Sequence, residues 1–68
     1  MIRIHVNGEP RTCPEGLDIR AALRALGYQP AVVVVELNGV ILPSSQWPGR
    51  TVVESDALEV VTIVGGGA

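Results

Sequence analysis

The sequence predicts an α+β domain in which one main helix lies across one face of a small mixed β-sheet. Three observations lead there: a period-2 alternation ending at Asn7-Gly8, one stretch of helical apolar spacing over 18–26, and two strongly apolar, β-branched runs at 31–37 and 58–64.

Ile2, Ile4 and Val6 alternate with Arg3 and His5, as in a strand with one covered face. Asn7 and Gly8 both tolerate the positive φ of a type I′ turn, so the chain should double back into a second strand over 9–13. Pro10 has no N–H to donate and assigns that strand to an edge, and Pro14-Glu15-Gly16 ends it. The period then changes. Ile19, Ala22, Leu23 and Leu26 recur at i, i+3, i+4 and i+7, one apolar stripe on a helix. Asp18 suits the N-cap and the positive end of the helix dipole; Gly27 suits an αL C-cap, with Pro30 just beyond. So short a helix depends on tertiary packing.

Residues 31–37 read as a strand, Asn38-Gly39 as a turn, and Val40, Ile41 and Leu42 as a brief extended return. Pro43-Ser44-Ser45-Gln46-Trp47 has the look of a single helical or 3₁₀ turn, broken by Pro48-Gly49. Thr51, Val52 and Val53 should pair weakly before the polar turn Glu54-Ser55-Asp56. The run at 58–64 carries one charge, Glu59, and reads as a central strand buried on both faces. The order ββαβ, a small excursion, then β has few compact solutions. It puts the helix across one face and the first and last strands side by side and parallel. This is the β-grasp, or ubiquitin-like, arrangement.

One helix covers one face only. Glu36 and Glu59 mark the other, so Val32, Val34, Val61 and Ile63 should lie on it as an apolar patch that meets a partner, unless loops or the 3₁₀ segment cover it. Trp47 is counted with them as a candidate partner-surface residue; as a large aromatic in a small domain it fits a lid on the core better.

Sixty-eight residues make one domain near the lower size limit for folding without staples, so an enzyme pocket with several positioned groups is hard to build. Five arginines and no lysine in a chain of net charge −2 argue against nucleic acid as a partner. No run reaches the ~20 apolar residues of a membrane span. A lone cysteine, Cys13, and a start at Met1 that leads straight into a strand pattern suggest a reducing cytoplasm. Cys13 reads as a packing residue and His5 as an exposed strand residue without a second metal ligand. No Ser-His-Asp set, phosphate loop or CxxC pair appears, and neither a catalytic residue, a metal nor an intrinsically bound cofactor is expected.

A domain over 1–64 would leave 65–68 as a flexible Gly-rich tail. Gly65, Gly66 and Gly67 have no Cβ, and fully extended the tail would reach ~13 Å, far enough to enter another protein's active site. Composition alone favours a frayed terminus. The alternative is a side-chain-free end threaded through a channel.

The rest of the chain bears on that choice. Val6-Asn7-Gly8, the helix Gly-Leu-Asp-Ile-Arg-Ala-Ala-Leu-Arg-Ala-Leu-Gly over 16–27, Leu37-Asn38-Gly39, Leu42-Pro43-Ser44-Ser45-Gln46-Trp47, and Asp56-Ala57-Leu58-Glu59-Val60-Val61 running into Gly-Gly together resemble the ThiS family, the sulfur carrier proteins of thiamine biosynthesis. The resemblance spans essentially the whole chain; the Pro-x-x-x-Trp segment is its more distinguishing part. It implies a protein co-substrate rather than an enzyme. A ThiF-type adenylyltransferase would use ATP to convert the terminal carboxylate of Gly67 to an acyl-adenylate, with Gly65 and Gly66 in the partner's channel. A sulfur donor protein would then form the thiocarboxylate, and thiazole synthase would take the sulfur into the thiazole ring. The chemistry suits the residue types. A carboxylate needs activation because hydroxide or oxide leaves poorly, and glycine lets nucleophile and nucleotide reach the carbonyl unobstructed.

The chain departs from the family pattern twice. The pattern ends at Gly-Gly, here Gly66-Gly67, so Ala68 stands one residue beyond it. Its methyl fits a glycine channel badly, and Ala68 is expected to be removed first or to be foreign to the working chain; otherwise the chain is not an active carrier. The position after Pro43 is often arginine in the family and is Ser44 here, which removes any partner contact made through that charge. Two other functions share the Gly-Gly end or the fold: a carrier of the molybdopterin or tRNA-thiolation type, and a β-grasp interaction module with an inert tail.

Overall fold

A computed structural model describes residues 1–63 of the chain; the expected end of the last strand at Val64, and Gly65, Gly66, Gly67 and Ala68, lie outside the described residues. The elements are β1 (Ile2–Val6), β2 (Glu9–Cys13), α1 (Ile19–Ala25), a 3₁₀ turn at Pro30–Val32, β3 (Val33–Leu37), β4 (Val40–Ile41), a 3₁₀ segment at Ser44–Gly49, and β5 (Ala57–Thr62). They form one sheet in the order β2-β1-β5-β3-β4, with β5 parallel to β1 and antiparallel to β3. The sheet has the mixed β-grasp order that the element sequence predicts.

Local chemistry explains most boundaries. Asn7 (φ 53°) and Gly8 (φ 82°) take the paired left-handed conformations of a type I′ turn, and Asn38 (φ 53°) and Gly39 (φ 85°) repeat them between β3 and β4. Asp18 caps α1 by accepting the Ala21 N–H on Oδ1 at 2.8 Å. At the other end Gly27 sits at φ 96°, its N–H bonding the Arg24 carbonyl at 3.1 Å while the Tyr28 N–H reaches the Leu23 carbonyl at 2.9 Å. These two bonds are the Schellman pair, and they satisfy carbonyls the helix itself leaves open. Arg11 adds a third donor there, Nη2 to the Leu26 carbonyl at 3.3 Å.

The core lies between α1 and one face of the sheet. Ile19, Ala22, Leu23 and Leu26 meet Ile2, Ile4, Val6, Val33, Val35, Leu37, Leu58 and Val60, and the cluster is closed by Cys13, Trp47 and Val52. Burying each large aliphatic side chain there contributes about 1.5–3 kcal/mol. Burial also pushes the Cys13 thiol up from its ordinary pKa, so at neutral pH it stays a protonated packing group.

Four details differ from the sequence expectation. Ala31 and Val32 belong to a 3₁₀ turn started by Pro30, whose fixed φ suits that turn and delays the strand to Val33. Pro48 and Gly49 do not break the second 3₁₀ segment but complete it, because Pro48 takes the second position of the turn closed by the Arg50 N–H on the Trp47 carbonyl at 3.0 Å, where its fixed φ fits. β5 is buried on one face only: Leu58 and Val60 point into the core while Glu59 and Val61 are exposed, since the single helix has no counterpart on the far side. Trp47 is 1% exposed and is therefore absent from the partner surface. Its indole Nε1–H bonds the Leu42 carbonyl at 2.9 Å and the Arg20 guanidinium lies 5.5 Å from the ring centroid, so the side chain is held in the core by a satisfied polar atom and a cation over its face.

Both turn asparagines clamp β5. Asn7 accepts the Val60 N–H on Oδ1 at 2.7 Å and donates Nδ2 to the Val60 carbonyl at 3.1 Å, a side-chain amide standing in for a missing strand residue. Asn38 accepts the Ala57 N–H at 2.9 Å and donates to Oδ1 of the buried Asp56 at 3.0 Å; Asp56 Oδ2 takes the Val53 N–H at 2.9 Å.

Replacing Asn7→Ala removes two hydrogen bonds and puts at φ 53° a residue that tolerates αL less well than asparagine, so urea unfolding should show a loss of about 2–3 kcal/mol, of which Asn7→Gly recovers the backbone part. Trp47→Ala should cost about 3–5 kcal/mol. That approaches the whole stability of a domain this size, at roughly 0.05–0.15 kcal/mol per residue, so the variant should lose its dispersed amide NMR spectrum.

Candidate functional site

The sheet face away from α1 is where the chain leaves chemistry unpartnered. The 3₁₀ segment that could have covered it packs against α1 instead. Val34 and Val61 are direct cross-strand partners on β3 and β5. They are 40% and 62% exposed, and Val32 and Ile63 beside them are 36% and 53% exposed. Ile63, the last described residue, donates its N–H to the Val32 carbonyl at 2.6 Å, which ties the end of the central strand to the start of β3. The four apolar side chains therefore surround the point from which 64–68 continue.

The same face changes character along the strands. One step from Val34 and Val61, Glu36 and Glu59 are opposed in the register, a like-charge pair that antiparallel sheets usually avoid. Ile41 pairs with Glu36 and is 65% exposed, extending the apolar surface onto β4. A two-residue strand carries no period, so Ile41 could not be assigned to a face from spacing alone. On β1 the exposed residues are Arg3 and His5. The face thus runs from basic at β1 through acidic mid-sheet to apolar where β5 ends.

Of the candidate surface residues, Val32, Val34, Val61 and Ile63 come together and Trp47 stands apart in the core. Gly65, Gly66 and Gly67 lie outside the described residues. Among the described residues no three His, Cys, Asp or Glu side chains group as a metal site, and no helix is long and apolar enough to cross a membrane. Cys13 is buried in the core cluster, and the His5 N–H donates to the Asp56 carbonyl at 2.9 Å.

Comparison with known proteins bears on this arrangement. The ThiS family model matches residues 4–67. A crystal structure of the thiamine biosynthesis protein ThiS from Geobacter metallireducens superposes with a TM-score of 0.81 at 38% identity, covering 97% of this chain and 100% of that one. The chain is 39% identical over 66 residues to the uncharacterized protein ycf40 of Pyropia yezoensis, covering 97% of this chain and 93% of that protein. It is also 35% identical over 66 residues to part of a thiazole synthase of Magnetococcus marinus, where the match takes in 97% of this chain and 20% of the synthase. With fold, length and sequence in agreement from strand β1 to the glycines, the chain belongs to the ThiS family, the sulfur carrier proteins of thiamine biosynthesis.

Proposed function

We propose that the chain is a protein co-substrate whose Gly67 carboxylate is adenylated by a ThiF-type adenylyltransferase using ATP, converted to a thiocarboxylate by a sulfur donor protein, and drained of its sulfur by thiazole synthase. The observation that carries the reading is the family match running through Gly67, the second glycine of the pair, with Ala68 beyond it. The chemistry supports it: activation turns a poor leaving group into AMP, and a glycine carbonyl is open to a sulfur nucleophile from either side. The chain's part is to position that carbonyl, while ATP and catalytic groups come from partners. The cytoplasm, where thiols stay reduced, suits this chemistry.

In this reading the apolar cluster of Val32, Val34, Val61 and Ile63 is the docking surface, because a partner seated there stands at the base of the glycine tail. A thiazole synthase that carries a segment similar to nearly this whole chain makes that enzyme a natural recipient.

Mixing the chain with its adenylyltransferase, ATP and a sulfur donor should raise the intact mass by the difference between sulfur and oxygen, on the form ending at Gly67 only. An unchanged mass with an enzyme active on another carrier would exclude the carrier reading. Deleting 66–68 should abolish loading, whereas an interaction module would keep its activity. Val61→Lys with Val34→Glu, an opposite-charge pair across the strands, should slow loading by about tenfold or more, the loss of about 1.4 kcal/mol of interface contact, with stability within about 1 kcal/mol of the parent because both positions are exposed.

A further inference from the structure

We propose that the free edge of β2, with the cationic groove beside it, binds an extended acidic segment of a partner protein by strand addition. The sheet order gives β2 a single neighbour. On β1, alternate residues turn their backbone groups toward β5: the His5 N–H bonds the Asp56 carbonyl at 2.9 Å, the Arg3 N–H bonds Glu54 Oε1 at 3.0 Å, and the Arg3 carbonyl accepts the Ser55 N–H at 2.8 Å. In an antiparallel ladder the residues opposite them, Pro10 and Thr12, must turn theirs the other way, out of the sheet. Pro10 has only its carbonyl. The edge therefore offers one complete pairing position, Thr12, and one spare acceptor, enough to register a short incoming strand and too little to template an open-ended one.

A groove of about 560 Å³, open to solvent and lined by Arg3, Pro10, Arg11 and Thr12, lies along this edge. Arg3 and Thr12 are register partners, and His5 stands opposite Pro10. Arg11 uses one donor on the Leu26 carbonyl, which leaves four of the five that a guanidinium carries. Glu54, the acid bonded to Arg3, takes the backbone N–H on the β5 side. Two of the five cations of a net-negative chain thus line one groove. An open groove does not enclose a small anion. An added strand instead gains the Thr12 pair; Arg3 lies on the open face with Thr12 and Arg11 on the α1 face with Ile4, so a carboxylate on either side of the added strand comes within reach of one guanidinium group. The site is two strands from Val61, on a different part of the sheet from the apolar docking surface, and does not depend on the carrier chemistry.

The test is an amide NMR titration of the isotope-labelled chain with a capped peptide alternating glutamate and valine. Saturable shifts at Arg3, Arg11 and Thr12 with slowed solvent exchange of the Thr12 amide are expected, and a lysine-valine peptide should produce neither. Arg3→Glu should weaken binding by about tenfold or more, and Thr12→Pro should abolish it while keeping the fold, because that N–H makes no bond within the sheet. Unchanged affinity in both variants, or the same shifts from inorganic phosphate without slowed Thr12 exchange, would overturn strand addition. If Thr12→Pro does not fold, the parent chain decides: an unprotected Thr12 amide at saturating peptide overturns the proposal.

Discussion

The backbone pairing of β5 on both its sides is the constraint on which the rest of the structure depends. Its central place joins two hairpins that otherwise share no strand: β1 and β2 on one side, β3 and β4 on the other. Only two residue pairs link β1 to β5 in the ladder, His5 with Ala57 and Val6 with Leu58. The Asn7 amide extends that ladder to Val60, and Asn38 with Asp56 anchors the other flank. The same asparagines that make the turns possible, by tolerating positive φ, supply the polar groups that seam the sheet together. Turn chemistry and tertiary structure are here one set of side chains.

Because α1 and the Trp47 segment both lie on one face, every apolar residue of β3 and β5 with the opposite parity stays in water. A domain of this size cannot cover both faces of a five-stranded sheet, so the exposed valines follow from its economy of parts as much as from any need for a partner. What singles them out is position. They collect at the end of β5, where the Ile63 N–H bonds the Val32 carbonyl.

Much of this was legible in the residues. The hairpin turns, the bounds of β1 and β2, both helix caps and the open-face parity of Val61 follow from local rules: positive-φ tolerance, capping, and period. The misses came where tertiary context overrides those rules. Pro30 bent Ala31 and Val32 out of an otherwise unbroken β-branched run, and Pro48 was accommodated in a 3₁₀ turn that composition treats as broken. Trp47, counted with the open face but better suited by its size to a lid on the core, is that lid; what no spacing encodes is the Leu42 carbonyl that takes its N–H. The outward-facing backbone of Thr12 was equally hidden, since it depends on which β1 residues bond toward β5. The family resemblance, by contrast, rested on whole segments and extended to the glycines.

The middle strand of the sheet follows every other strand in the sequence. Until it is synthesised and inserted, the earlier hairpins have no common neighbour and the helix has half a floor. Folding of this domain is therefore dominated by a late, long-range closure in which β1 meets a segment some fifty residues downstream. Val34 and Val61 become cross-strand neighbours only when that closure is made, so the exposed apolar patch belongs to the finished domain and not to its parts.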